Sequence, residues 1–406
     1  MAVALTRSRE AAAAPLRILM VSDVYLPRIN GVSTSIAIFR AELERLGHEV
    51  DLLVPAYGDT RDALAVDPGV HRVRGWAPWF DPEDKLMSAR KLRALRPRLA
   101  GAGYDLIHVQ TPFRAHQFGV ALACQLGIPV IESYHTLFEA YFEHYLPWLP
   151  RAWLRAAARA FSRRQCNVVD AVIVPSAAMA ESLSGYRVHS PVHILPTGLE
   201  SAAFAPADGR RFRARIGLDD ETPLLLFVGR VAHEKNIDFL LHMLRALLTA
   251  QPQVQLAIVG DGPARKSLER LGRRLGVADH LHWTGYVPRT GLLRDAYHGA
   301  DGFVFASQTE TQGLVLLEAM AQGLPCVAVA AHGTCDLLEE GAGALIAPLD
   351  PEGFAARVAE LLADGALRSQ LGHAARSHAA QWSAPAAARR LDALYRGQLA
   401  SRLAMT

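Results

Sequence analysis

Two glutamates eight positions apart, Glu310 and Glu318, are the residues of this sequence best placed to do chemistry together. Gly313 lies between them, and an apolar run leads into the second acid. The backbone N–H groups of Gly313 and Leu314 would open a helix, and N–H groups in that position bind anions. One acid beside an anion site and a second along the helix suit a diphosphate between two polyhydroxy groups. We therefore expect a nucleotide sugar here, although an ordinary solvated acid pair has the same spacing.

The apolar pattern around these acids predicts the elements that position them. Gly302 to Ala306 is predicted as a buried strand of a parallel sheet, and 314–322 as a helix closed by Gly323. Glu310 is therefore expected on the turn at the carboxyl end of a strand, with Glu318 along the helix that follows.

Short apolar runs alternate with amphipathic segments from residue 17 onward, which is typical of α/β units around parallel sheets. Strands are predicted at 18–22, 49–54, 106–109, 130–133, 172–174 and 193–195, then at 224–229, 255–259, 282–286, 303–306, 326–329 and 344–346. Helices are predicted at 238–250, 264–275, 291–298 and 314–322, and after about residue 351. The predicted fold class is α/β, with two Rossmann-like doubly wound domains facing across a cleft that holds the ligand.

A chain of 406 residues suits two cores rather than one. A segment rich in proline, glycine and charge separates the two halves. We predict a disordered tail at 1–16, an N-terminal domain at 17–197, a linker at 198–222, a C-terminal domain at 223–385 and a final helix at 386–406.

Composition excludes several classes of protein. Half of the residues are hydrophobic and a fifth are charged, which indicates a globular chain. A net charge of +3 is mild and argues against a nucleic-acid partner. The four cysteines form no CxxC pair and are expected to be reduced thiols in the cytoplasm. No apolar run reaches roughly 18 residues, so no segment is predicted to span a bilayer.

The turn after the first predicted strand carries Asn30 and Gly31 ahead of small polar residues at a helix start. Such a turn exposes N–H donors to a phosphate or sugar oxygen, although an ordinary βα turn explains it when it is taken alone. A GxGxxG fingerprint is absent here, which argues against a simple Rossmann dehydrogenase.

A motif with one histidine follows the predicted strand at 130–133. His135, Glu139 and Glu143 would share one face if this segment continued as a helix, which would make a metal site conceivable. Because no HExxH or other standard ligand spacing is present, we predict no metal. A histidine bonded to a backbone carbonyl is a further alternative.

A basic stripe lies soon after this motif. Arg151, Arg155, Arg159 and Arg163 step by four, which places them on one face of a helix. A solvated charged face is the usual explanation of such a run, but a basic amphipathic helix also suits an anionic membrane surface. A second basic stretch occupies 90–98.

In the second half, Gly229 and Arg230 leave a predicted buried strand, and Lys235 follows five residues later. Two cations at such a strand end can neutralise a diphosphate leaving group without a metal ion. Exposed basic residues in a loop are the alternative. The next turn contains Gly260 and Gly262, which we expect to leave room for a flat base.

Taken together, these motifs resemble family 4 of the retaining GT-B glycosyltransferases. They occur in the family's order, namely glycine loop, Tyr-His-Thr, Gly-Arg…Glu-Lys-Asn, Gly-Asp-Gly-Pro and E-x7-E, over nearly the whole chain from about residue 17. The resemblance implies a GT-B fold with an acceptor-binding N-terminal domain and a nucleotide-sugar-binding C-terminal domain. It also implies that the last helices cross back onto the first domain.

The resemblance implies a role for each candidate residue. Gly31 would lie near the donor diphosphate, and His135 would contact the donor sugar. Glu318 would accept hydrogen bonds from ribose hydroxyls. The residues implied as catalytic are His135, Arg230, Lys235 and Glu310, of which the two cations bind the diphosphate and the acid binds sugar hydroxyls. Those implied as nucleotide-sugar-binding are Gly31, Gly229, Gly262, Gly313, Leu314 and Glu318.

We therefore predict a retaining glycosyltransferase that moves a glucosyl or mannosyl group from a nucleoside diphosphate sugar to a lipid or glycolipid acceptor. The Tyr-His-Thr segment resembles bacterial transferases that act on diacylglycerol. No cofactor and no metal are predicted, and front-face attack is implied. The protein is expected in the cytoplasm, peripheral on the inner face of the cell membrane. The alternatives are a GDP-mannose-dependent mannosyltransferase acting on a glycan, a nucleotide-sugar epimerase of the same fold, and a non-catalytic nucleotide-sugar-binding protein.

Overall fold

The computed structural model describes residues 14–57, 67–76, 85–136, 138–139, 150–287 and 291–404. It divides into two compact units. The first unit comprises Met1–Gly198 and Ala384–Thr406, and the second comprises Leu199–Ser383. The tail predicted at 1–16 lies almost wholly outside the described residues.

The first unit is built on a seven-stranded sheet in the order β3-β2-β1-β6-β7-β8-β9. All of its strand pairs are parallel. Its strands are β1 Arg17–Val21, β2 Glu49–Pro55, β3 Val70–Val73, β6 Leu106–Val109, β7 Val130–Ser133, β8 Ala171–Val174 and β9 Val192–Ile194. A separate antiparallel pair is formed by β4 Gly75–Trp76 and β5 Leu86–Met87.

Helices cover both faces of this sheet. They are α1 Gly31–Arg45, α2 Ala89–Ala100, α3 Arg114–Leu126, α4 Arg151–Cys166, α5 Ala177–Gly185 and, from the end of the chain, α13 Ala384–Leu403. Alternate residues of β1 show that both faces of the sheet are buried. Leu19 and Val21 join one apolar core, while Ile18 and Met20 join the other. The strands are apolar without interruption because both faces are buried.

The second unit has a six-stranded sheet in the order β12-β11-β10-β13-β14-β15, again with parallel pairs throughout. Its strands are β10 Leu224–Val228, β11 Gln255–Val259, β12 Leu281–Gly285, β13 Gly302–Phe305, β14 Cys326–Ala328 and β15 Ala344–Ile346. Its helices are α6 Gly209–Arg215, α7 Ile237–Leu247, α8 Arg265–Leu275, α9 Leu292–Gly299, α10 Leu314–Ala321, α11 Pro351–Ala363 and α12 Gly365–Ala380. Short 3₁₀ turns lie at Ser201–Phe204, His233–Lys235, Ala278–His280 and His332–Thr334.

In both sheets the order reverses beside the first strand of the unit. The reversal lies between β1 and β6 in the first unit and between β10 and β13 in the second. Ligands of open α/β sheets bind outside the carboxyl ends of the strands at such a point. The α/β prediction of two Rossmann-like sheets is confirmed.

The segment 198–222, for which a linker was predicted, contains a folded part of the second unit. Helix α6 buries Phe212 completely, and the Arg213 guanidinium donates to the carbonyls of Gly299, Asp219 and Thr222. This segment is polar and glycine-rich, so one buried aromatic ring and one buried arginine hold it in place. No strand was predicted between 54 and 106, yet β3 Val70–Val73 adds an edge strand to the first sheet.

Candidate active site

The carboxyl ends of β10 and β13 bring two predicted site residues into direct contact. Lys235 Nζ donates to Glu310 Oε1 at 2.5 Å. The two side chains are 24% and 15% exposed, so the pair is partly shielded yet reachable by a ligand. A charge-assisted hydrogen bond of this kind contributes roughly 1.5–3 kcal/mol. The lysine is therefore held in one place before any ligand binds.

Further hydrogen bonds tie the loop of this lysine to the loop of its partner. Asn236 adopts a left-handed backbone at φ +56° and donates from Nδ2 to the carbonyl of Ala306 at 3.1 Å. The hydroxyls of Ser307 and Thr309 each donate to the carbonyl of Glu234 at 3.3 Å. Since both loops end on adjacent strands and are bonded to each other, they form one rigid edge.

Arg230 lies on the same edge, with its guanidinium 3.9 Å from the carboxylate of Glu234. The arginine is about one quarter exposed. At that distance and exposure, the ion pair is loose enough to exchange for a ligand anion. The structure thus brings Lys235 and Glu310 together at the ends of two neighbouring strands, and Arg230 lies five residues before Lys235 in the segment that follows β10.

Gly313 is the N-cap of α10, the helix that carries the second acid, Glu318. Its φ of +93° is a conformation that glycine adopts readily, and a Cβ there would lie 3.1 Å from the Thr334 methyl carbon. Leu314 is the first residue of α10. Glu318, four residues on, is buried and accepts a hydrogen bond from the Tyr297 hydroxyl at 3.0 Å.

The glycines of the next turn allow two loops to pack closely. A Cβ at Gly260 would lie 1.9 Å from the carbonyl oxygen of Gly229, and one at Gly262 would lie 2.5 Å from that of Val231. The Val231 N–H also donates to the Asp261 carbonyl at 3.0 Å. The backbone of 229–231 therefore occupies the side where a Cβ would point, and a base at Gly262 remains a prediction.

In the first unit, Gly31 is the first residue of α1. Asn30 caps this helix, since its Oδ1 accepts from the Ser33 N–H at 2.8 Å while the Ser33 hydroxyl accepts from the Asn30 N–H at 2.9 Å. Within the described chain, no atom lies within 4 Å of a Cβ built on Gly31. Packing therefore does not require glycine at this position.

His135 lies on the loop that leaves β7 and does not continue into a helix at this point. Its Nε2 contacts Gln110 Oε1 at 3.2 Å, and because an amide oxygen only accepts, Nε2 carries the proton. Burial lowers the pKa of His135 to about 4. The imidazole is therefore neutral at physiological pH, with Nδ1 as its acceptor. Glu139 pairs instead with Arg159, and Glu143 lies outside the described residues.

His135 opens onto a small cavity of about 20 Å³ in the first unit. Val32, the residue after Gly31, lines the same cavity, so the two predicted sites of this unit converge there. Its lining residues are Val32, Gln110, Thr111, Pro112, Glu132, Ser133, Tyr134, His135, Thr136 and Phe138. The polar residues come from the carboxyl ends of β6 and β7, which pair in register.

A buried relay connects this loop to the last helix of the chain. His108 Nδ1 lies 2.6 Å from the Tyr395 hydroxyl on α13, and its Nε2 lies 2.9 Å from the Ser133 hydroxyl. Burial, and secondarily His135, lowers the pKa of His108 to about 3. Sequence reasoning missed His108, Tyr395 and Gln110. For His108 and Gln110, the sequence offers one indication, namely their position at the carboxyl end of the strand predicted at 106–109.

The predicted arginine stripe forms on α4. Arg151, Arg155, Arg159 and Arg163 are all exposed, but Arg159 Nε donates to Glu139 Oε1 at 2.5 Å. Trp153 on the same helix is 73% exposed, which is unusual for a tryptophan. In the part of the chain that the structure describes, no helix combines the length and apolarity needed to cross a bilayer.

Comparison with known sequences identifies the class of this protein. Residues 29–203 match the family described as Glycosyltransferase Family 4, and residues 208–378 match Glycosyl transferases group 1. Each match lies largely within one unit and includes the predicted site residues of that unit. The chain belongs to the group 1/family 4 glycosyltransferases of GT-B fold, and it is a glycosyltransferase.

The chain is similar to particular glycosyltransferases and to solved structures. The chain is 32% identical to an alpha-monoglucosyldiacylglycerol synthase of Streptococcus pneumoniae, over 78% of this chain and 71% of the relative. It is 30% identical to a GDP-mannose-dependent alpha-mannosyltransferase of Mycolicibacterium smegmatis, over 89% and 92%. Among solved structures, the sucrose-phosphate synthase of Thermosynechococcus elongatus has the same fold, with a TM-score of 0.77 at 24% identity, covering 95% of this chain and 100% of that one.

Proposed function

We propose that this protein transfers a hexosyl group from a nucleoside diphosphate sugar to a lipid or glycolipid acceptor, with retention of anomeric configuration and without a metal ion. The observation that carries the proposal is the Lys235–Glu310 pair beside Arg230 at the carboxyl ends of β10 and β13. Glucose and mannose are the sugars to consider, because the named relatives are a glucosyldiacylglycerol synthase and a GDP-mannose-dependent mannosyltransferase.

The chemistry follows from where charge develops. As the bond between the anomeric carbon and the diphosphate oxygen breaks, negative charge grows on the departing phosphate. Arg230 and Lys235 are cations fixed on a rigid edge and would stabilise that charge with little rearrangement. The acceptor oxygen would bond to the anomeric carbon on the same face, and its proton would pass to the departing phosphate. No protein nucleophile is needed for this route.

The remaining residues would bind the donor rather than react. The Glu310 carboxylate would accept hydrogen bonds from sugar hydroxyls, and the buried Glu318 would accept them from ribose hydroxyls. His135 would contact the transferred sugar as a neutral imidazole, because its pKa of about 4 leaves it uncharged at pH 7. The helix start at Gly313 and Leu314 would add N–H donors for the diphosphate.

Alanine at Lys235 or Glu310 tests this assignment. Lys235→Ala removes a cation aimed at the developing charge and should lower kcat by about 10²- to 10³-fold. Glu310→Ala removes the acid that holds Lys235 and binds sugar hydroxyls, and should lower kcat/KM by about 10- to 100-fold. The thermal midpoint should stay within a few degrees, because both side chains are partly exposed. Lys266→Ala is the matched control, since that lysine is exposed on α8 of the same unit. Transfer of radiolabel from UDP-glucose or GDP-mannose to lipid vesicles is the measurement. Full activity in both site variants would remove the assignment.

We also propose that α4 docks the protein onto an anionic membrane surface, where a lipid acceptor would be met. The support is the exposed Trp153 on a helix whose outer surface carries several arginines. Tryptophan favours the membrane–water interface, and each basic residue near an anionic surface adds about 1 kcal/mol.

Trp153→Ser should weaken binding to vesicles that contain anionic lipid while leaving nucleotide binding unchanged. Trp76→Ser provides the control, because that tryptophan is 56% exposed in the same unit but lies on β4. Co-sedimentation with phosphatidylglycerol vesicles is the measurement. Equal loss of binding in both variants, or no loss in either, would contradict a docking role for α4.

A further inference from the structure

Two buried polar atoms of residues that line the His135 cavity make no hydrogen bond in the part of the chain that the structure describes. Nε2 of Gln110 makes no hydrogen bond to any residue that the structure describes, although Gln110 is only 2% exposed. Across the described residues, Oε2 of Glu132 is likewise without a hydrogen bond, and Glu132 is 1% exposed. Both residues line the cavity. Buried polar groups are normally paired, so this cavity is built for a polar guest.

The orientation of the Gln110 amide is fixed by its other atom. Oε1 accepts from Nε2 of His135 at 3.2 Å, which leaves the amide N–H group as an unused donor. The Gln110 backbone N–H donates to the Val21 carbonyl at 2.8 Å, which holds the residue at the end of β6. Hydrogen bonds therefore hold both the backbone and the side-chain carbonyl of Gln110, and the amide N–H group remains as a donor.

The acid beside it presents the complementary group. Oε2 of Glu132 lies 3.4 Å from Nδ1 of the buried His116, a contact that lacks hydrogen-bond geometry. An N–H donor and a carboxylate acceptor in one small cavity match a hydroxyl group, which both accepts and donates. A carbonyl would leave the carboxylate unpaired, and a cation would leave the amide unpaired.

Size restricts the guest to part of a substrate. The cavity holds about 20 Å³, which is room for about one water-sized group, whereas sites for whole small molecules span about 300–1,000 Å³. One hydroxyl group at the edge of a substrate therefore fits it. The ring nitrogen Nδ1 of His135, which also lines the cavity, is a further acceptor.

We infer that Gln110 is a substrate-binding and positioning residue: its amide N–H donates to one hydroxyl of a sugar or polyol group that enters this cavity, while its carbonyl fixes the tautomer of His135. This inference rests on the proposed function, which supplies a hydroxylated substrate. The inference adds to that function one binding residue, Gln110, and the substrate group that it recognises, a hydroxyl that accepts from the amide N–H. The hydroxyl belongs either to the transferred hexosyl group or to the acceptor.

Gln110→Met and Gln110→Glu separate the two roles of the amide. Methionine keeps the volume and removes both hydrogen bonds, whereas glutamate keeps the acceptor for His135 and removes the donor. Loss of one neutral hydrogen bond should raise KM by about 2- to 10-fold. The negative charge of glutamate should also raise the pKa of His135, which histidine NMR detects directly. Gln117→Met is the matched control, because Gln117 is exposed on α3.

The measurements identify the source of the hydroxyl. A rise in KM for UDP-glucose or GDP-mannose, seen also in donor hydrolysis without acceptor, assigns it to the hexosyl group. A rise in KM for the lipid acceptor alone assigns it to the acceptor. Unchanged values of both KM and of the His135 pKa in the two Gln110 variants would overturn the inference. If the wild-type protein transfers from no nucleotide sugar and binds neither UDP nor GDP, the proposed function fails instead.

Discussion

Replacing Gly260 with alanine tests the loop packing at the edge of the second sheet. The new Cβ would lie 1.9 Å from the Gly229 carbonyl oxygen, and at φ +135° the backbone is strained for any L side chain. Real Cβ contacts stay beyond 3.0 Å, so one loop must move by about 1.1 Å (3.0 − 1.9). The atoms that must move are backbone atoms held by hydrogen bonds, since the Gly229 N–H donates to the Val259 carbonyl at 3.0 Å.

The expected magnitude follows from a matched control. Gly276→Ala places alanine at φ +72° with no atom of the described structure within 4 Å, so it carries only the left-handed backbone cost of about 1–2 kcal/mol. Gly260→Ala adds an overpacking cost of about 1–3 kcal/mol and one weakened hydrogen bond of about 1 kcal/mol. We expect it to unfold with about 3 kcal/mol less stability than the control, or about 6–12 °C lower in Tm.

Differential scanning calorimetry of both variants provides the test, with transfer activity measured at 20 °C or so below either midpoint. Activity should also fall in Gly260→Ala, because displacement of 229–231 moves Arg230. A midpoint within 2 °C or so of Gly276→Ala would show that the two loops do not pack as described.

Two further predictions concern buried groups. Tyr297→Phe keeps the packed ring but removes the hydroxyl that donates to Glu318, so the Kd of UDP or GDP should rise by about tenfold; an unchanged calorimetric Kd would contradict this role. Burial raises the pKa of Asp23 from 3.8 to about 6, so the folded state binds that proton more tightly than the unfolded state. Stability present below pH 4 is therefore lost as pH rises towards 6, by about 3 kcal/mol. Asp23→Asn should lack this slope in urea unfolding at pH 4 and 6.5, and parallel slopes in both proteins would refute the cause.

Much of the fold was predictable because the central strands are buried on both faces. β10, for example, is Leu-Leu-Leu-Phe-Val and is buried at every position, so its apolar run identifies it without periodicity. β3 was missed for the opposite reason. Val70–Val73 is an edge strand whose middle residues, His71 and Arg72, are half-buried, so its sequence resembles a loop.

The candidate site was predictable only where strand ends carry it. Lys235 and Glu310 follow neighbouring strands, so their proximity could be anticipated from a parallel sheet. Tyr297 could not be found in this way, because it lies near the C-terminal end of α9 and not at the end of a strand. The glycines show the limit most clearly. Sequence identifies Gly260 as special, but only the fold shows that the backbone of Gly229 occupies the space beside it.

The chain leaves the first unit after Gly198 and re-enters it at Ala384, so the second unit is inserted within the first along the sequence. Its two ends are fastened side by side, since the Leu199 N–H donates to the Trp382 carbonyl at 2.6 Å. During synthesis, the inserted unit can therefore be complete while the earlier one still lacks its last helix. Until that final stretch has left the ribosome, Tyr395 cannot reach His108, and the loop bearing His135 is without its buried support. The first unit therefore completes its core only after the residues from Ala384 onward have been synthesised.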